Sequence, residues 1–73
     1  MEFHRYVYTE YDITTYYVIE DGMTKAHINC SSGEIKRSTV KPIPYPINSE
    51  RVEEEEIPEN VREKFGNLLT YYE

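Results

Sequence analysis

The chain has 73 residues, a formal net charge of −6 and a single cysteine, Cys30. That length makes one domain, residues 1–73, with a modest core, and one thiol excludes an intrachain disulfide as its staple. The lone thiol, the absence of an apolar leader in Met1–Tyr6 and the lack of any apolar run near the ~18 residues that span a bilayer predict a soluble, cytoplasmic protein without a membrane partner.

Charge is uneven along the chain. Residues 1–47 carry six acids and five bases, whereas residues 48–73 carry eight acids and three bases. An acidic segment on a nearly neutral body argues against duplex DNA, whose phosphates need clustered Lys and Arg. It fits a solvated surface or a surface aimed at a basic partner. Tyrosine is the second anomaly, with eight residues against two Phe and no Trp. A tyrosine ring favours strands, and its hydroxyl tolerates water, so Tyr serves interfaces as well as cores.

In chain order, the region from about 3 to 40 reads as strands: Phe3–Thr9, Ile13–Glu20, Met23–Cys30 and Ile35–Val40, separated by turn residues. Asp21-Gly22 is the preferred pair for a two-residue type I′ hairpin, because both central residues need positive φ. A regular ladder from that turn sets Ile19 opposite Thr24, Tyr17 opposite Ala26, Thr15 opposite Ile28 and Ile13 opposite Cys30. This register predicts those eight on one apolar face and Tyr16, Val18, Lys25 and His27 on the wetter face. At Ser31-Ser32-Gly33, a two- or four-residue loop brings Ile35 beside Cys30. The first strand has two open registers, one with Phe3 and Val7 inward around Arg5, the other with Tyr6 and Tyr8 inward with His4.

Residues 41–48 form a proline-rich crossover. Pro42, Pro44 and Pro46 at alternate positions forbid a helix and a central strand. The seven residues from Lys41 to Ile47 reach roughly 22 Å at about 3.1 Å each, more than the ~14 Å width of a four-stranded sheet, so the segment can cross one face or follow an edge. The acidic segment 49–57 holds Glu53, Glu54, Glu55 and Glu56, as a charged edge strand or a loop. A helix over about 58–72 follows, with Pro58 in its first turn and Val61, Phe65, Leu68, Leu69 and Tyr72 on one stripe. Gly66 inside it either permits close approach to the sheet or caps a shorter helix ending at Phe65.

Candidate chemistry is sparse. His27 and Cys30, three apart on a strand, project to opposite faces and make no dyad. No metal-ligand spacing, calcium-loop glycine or phosphate-cradling loop is present, so neither metal nor cofactor is expected. Lys25, Lys36, Arg37 and Lys41, interleaved with Tyr16 and His27, form a strip that suits single-stranded nucleic acid, although the acidic total opposes it.

These readings predict an α+β fold, an antiparallel four- to five-stranded β-meander with one C-terminal α-helix packed on one face. The alternative is a small SH3-like or OB-like barrel with an appended helix. The leading functional expectation is a non-enzymatic protein-binding domain, such as an inhibitor, adaptor or complex subunit. Its more specific form is an acidic occluder of a nucleic-acid-binding protein. The alternatives are a homo-oligomeric sheet domain holding a small ligand or nucleotide, and a single-stranded nucleic-acid binder. Candidate binding residues are Tyr16, Lys25, His27 and Tyr45 on the sheet side and Glu53–Glu56 on the acidic side, facing a protein with a basic surface.

Overall fold

The computed structural model describes residues 1–72, with side chains through Leu69. Strands β1 (Glu2–Tyr8), β2 (Ile13–Glu20), β3 (Met23–Ser31), β4 (Glu34–Thr39) and β5 (Glu50–Val52) form one antiparallel sheet in the order β4-β3-β2-β1-β5, followed by helix α1 (Glu59–Tyr72). This is the expected α+β architecture. The acidic segment realises both of its alternatives. Glu50–Val52 adds to β1 as an edge strand, and Glu54–Glu56 closes a single 3₁₀ turn.

Both central hairpins turn through positive-φ pairs. Asp21 and Gly22 have φ of 55° and 77°, and Ser32 and Gly33 have 53° and 82°, the twist that joins antiparallel strands in two residues. The expected Ile19–Thr24 pair forms beside the first turn, and Cys30 pairs with Ile35 beside the second. Beyond Ile19 the β2–β3 ladder departs from the regular hairpin. Val18 pairs with Ala26, so Lys25 is an extra residue on β3, a β-bulge. One inserted residue exchanges the faces of everything after it. Tyr16 therefore pairs with Ile28 and Tyr17 with His27, replacing the expected Tyr17–Ala26 and Thr15–Ile28 pairs. The β3–β4 ladder shifts in the same way, with Lys36 extra on edge strand β4.

The bulge sorts β2 into two working faces. Towards the helix lie Tyr16 and Val18, packed with Ala26, Ile28 and Cys30 of β3, Val52 of β5, and Ile57, Val61 and Phe65. Phe3 joins this layer, its ring 6.2 Å from that of Phe65, so the β1 register that turns Phe3 towards the helix is the one adopted, although Val7 on the same side is 50% exposed and lies outside the core. Arg5, between them, reaches the margin and pairs with Glu50 at 3.1 Å. Val61, Phe65, Leu68 and Leu69 form the helix stripe as expected, while the Tyr72 side chain lies outside the described residues. Gly66 is exposed within an unbroken helix and nothing approaches the space a Cβ would fill, so it neither caps the helix nor admits the sheet.

Val40 still packs against the helix-side core, and from Lys41 to Ser49 the chain crosses the other face of the sheet as a strap. It connects β4 at one edge to β5 at the other and covers part of the face formed by His4, Tyr17, Ile19 and His27. Every residue from Thr15 to Ile19 is buried, because β2 is central in the sheet and covered on both sides.

Two substitutions check these features by chemical denaturation. Gly66→Ala should stabilise the domain by about 0.5–1 kcal/mol, since it restricts the unfolded chain at an open helical position. Gly22→Val should destabilise it by roughly 1 kcal/mol or more, because a β-branched residue resists positive φ even where there is room.

Candidate functional site

Helix and strap leave unequal coverage. The helix-side core is closed. The strap covers only part of its face and leaves an open groove of about 640 Å³ between itself and the β1–β2 turn. Proline sets the upper wall. Each of Lys41, Ile43 and Tyr45 precedes a proline and is biased to extended backbone, and each proline holds φ near −65°. Ile43 N–H bonds the Lys41 carbonyl at 2.9 Å, and Ser49 N–H bonds that of Pro46 at 3.0 Å, which fixes both ends of the crossing. The Tyr45 ring settles against His4, with centroids 5.1 Å apart, and His4 Nδ1 lies 2.9 Å from Ser49 Oγ.

The opposite wall comes from the β1–β2 turn, where Tyr8 and Tyr11 are 36% and 70% exposed. Tyr6 stacks edge-on to Tyr8 at 4.6 Å. The floor belongs to β2 and β3. Tyr17 lies against His27 with ring centroids 6.1 Å apart and planes 29° from parallel. Beside them the Thr15 hydroxyl donates to Asn29 Oδ1 at 2.8 Å, and Ile13 completes the apolar end. The alternative register for the first strand, with Tyr6 and Tyr8 in the core, is therefore not adopted. Tyr6 and Tyr8 share this second face with His4, and Tyr8 stays exposed there.

Burial and neighbours tune two groups. Burial, reinforced by the Tyr8 hydroxyl, holds the Tyr17 hydroxyl well above the ordinary tyrosine range, so it stays protonated. Burial also pushes His27 below its ordinary 6.5, and Arg37 and Lys41 add to the effect. Its Nδ1 is buried with no hydrogen-bond partner among the described residues.

The residues singled out from sequence are dispersed. His27 and Tyr45 belong to the groove. Tyr16 does not, because the bulge turns it into the helix-side core, where it is 7% exposed. Lys25 occupies the bulge and pairs with Glu20 at 3.4 Å, and Lys36 pairs with Glu34 at 3.0 Å. The expected cationic strip is therefore half neutralised and has lost its aromatic partner. Arg37 and Lys41 make no ion pair among the described residues. Glu53–Glu56 are exposed at the β5 side, with the Glu56 carboxylate accepting the Glu53 backbone N–H at 2.7 Å. Cys30 is buried on the helix side, its thiol pushed up by burial, and His27 faces the other way, as the spacing implied.

Sequence reading missed Tyr8, Tyr11, Ile13, Tyr17 and Asn29 as groove residues. The available signal was the run Thr15-Tyr16-Tyr17-Val18-Ile19, which does not alternate and so marks a strand buried on both faces. Comparison with protein-family models, curated proteins and solved structures gives no match.

The depressed His27 predicts a pH dependence. A group that protonates more readily unfolded than folded stabilises the fold above its unfolded value and loses that contribution as pH falls. Urea midpoints should therefore drop as pH is lowered from about 6.5 towards the lower native value. His27→Gln should flatten this slope, and comparison of the two proteins cancels the effect of lower net charge.

Proposed function

We propose that this chain is a non-enzymatic protein-binding domain, anchored by the tyrosine groove and steered by the acidic turn. The observation that carries the reading is the open groove itself. Four tyrosines, two of them at least a third exposed, line an apolar cleft in a domain whose other face is already filled. Tyrosine is enriched where binding energy concentrates, since it presents a large stiff area that loses little rotamer freedom.

The acidic turn has a separable role. Glu53, Glu54 and Glu55 are exposed and make no ion pair among the described residues, and Glu59 adds a further acid in the first turn of α1. Hydrated charges of this kind contribute to encounter rate more than to residence time. A basic partner is the complementary class, and a nucleic-acid-binding protein presents such a surface. This supports the occluder form of the reading. Direct binding of single-stranded nucleic acid has less support, because Lys25 and Lys36 are paired and Tyr16 is inside.

Parallel affinity captures from native extract test the division. Tyr8→Ala combined with Tyr11→Ala should lower affinity for the retained partner by about tenfold or more, equivalent to about 1.4 kcal/mol. Converting Glu53, Glu54, Glu55 and Glu56 to Gln should instead slow association. It should also weaken its dependence on salt between ~0.1 M and ~1 M, where the Debye length falls from ~10 Å to ~3 Å. Undiminished capture by the tyrosine variant would refute the groove as anchor.

A further inference from the structure

We propose that the groove is a docking site for a proline-rich segment of another protein, held in polyproline II conformation alongside the chain's own strap. The inference rests on the protein-binding reading and names the partner's chemistry.

The first support is that the face already accepts such a segment in cis. Ile43-Pro44-Tyr45-Pro46 is extended by its own prolines and forms one wall, and the Tyr45 ring meets His4. The cleft continues from that wall to Tyr8 and Tyr11 with no Asp, Glu, Lys or Arg in its lining, and burial favours the neutral form of His27 there. A second extended chain laid beside the first would cross β2 and β3 in the same direction, over Tyr17 and Asn29.

Hydrogen bonding gives the second support. A polyproline II segment has no internal hydrogen bonds, and its prolines have no N–H, so it presents carbonyl acceptors in excess. The groove holds donors. Tyrosine hydroxyls stand on both walls. Asn29 uses Oδ1 to accept from Thr15, which leaves its amide NH₂ to donate. Flat rings packed against pyrrolidine rings, with hydroxyls on the carbonyls between, are how aromatic grooves read proline-rich chains.

Charge separates this occupant from a polyanion. The domain carries −6 and two of its four sheet-side lysines and arginines from Lys25 to Lys41 are already paired, which suits a neutral backbone better than a phosphate chain.

The test is an NMR titration of the isotope-labelled domain with acetylated decaproline, a Gly-Ser peptide of equal length and an oligothymidylate. Decaproline should give saturable shifts centred on Tyr8, Tyr11, Ile13 and Asn29. Tyr8→Ala with Tyr11→Ala should raise its Kd by about tenfold or more with amide dispersion retained, since both rings are at the surface. No saturable shift at millimolar decaproline, an equal response to the Gly-Ser peptide, or tighter and salt-sensitive binding of oligothymidylate would each overturn the proposal. If decaproline fails while the tyrosine variant still loses its cellular partner, this inference falls and the protein-binding reading stands.

Discussion

One extra residue in β3, Lys25, determines which side chains of the central strand meet the helix and which meet the strap. A β-strand presents alternate residues to opposite faces, so a single insertion in its partner exchanges the two sets relative to the turn. With the bulge in place, Val18 and Tyr16 sit over Ala26 and Ile28, and the helix closes on them with Val61 and Phe65. Tyr17 and Thr15 are left over His27 and Asn29, on the side the strap crosses. The bulged lysine itself stays at the margin, tied to Glu20.

Two unlike covers follow from that sorting. A helix shields its face with a continuous stripe and its own satisfied backbone. A proline-rich strap brings few donors and little width, so it buries a band rather than a face. The band includes Ile19 and Thr24, both under 3% exposed, and ends near Tyr45. Beyond it the tyrosines of the β1–β2 turn are neither covered nor dispersed. The groove is therefore a consequence of covering a five-stranded sheet with the short strap from Lys41 to Ser49, and its chemistry comes from the tyrosines that β1, β2 and the turn between them place there.

Much of this architecture was legible in the residues. Asp21-Gly22 identifies its hairpin through its demand for positive φ, Ser31-Ser32-Gly33 marks the next turn without fixing its length, and Pro58 with the Val61–Leu69 stripe identifies the helix. The crossover was legible as a length, since alternating prolines must extend. What was not legible was the bulge. Turn chemistry sets a register at the turn, but Lys25 carries no local signal that the ladder slips one residue later, because the slip is settled by packing of Tyr16 and Val18 under a distant helix. Half of the candidate site depended on that slip. His27 and Tyr45 were found because their faces did not change or did not matter, while Tyr16 and Tyr17 exchanged roles. The glycine at 66 misled for a related reason. Its backbone freedom is unused, and its position on the exposed side of α1 is visible only once the stripe is docked.

The most direct measurement is a set of nuclear Overhauser contacts from the two adjacent tyrosines of β2. With Lys25 bulged, the Tyr17 ring should contact the rings of His27 and the protons of Pro44 and Tyr45, and the Tyr16 ring should contact Ile28 and the helix-side core. A regular Asp21-Gly22 hairpin would reverse them, placing Tyr17 beside Ala26 and under Phe65, with Tyr16 on the strap side. Contacts of that second kind would contradict the sorting of the two faces, and the groove with it.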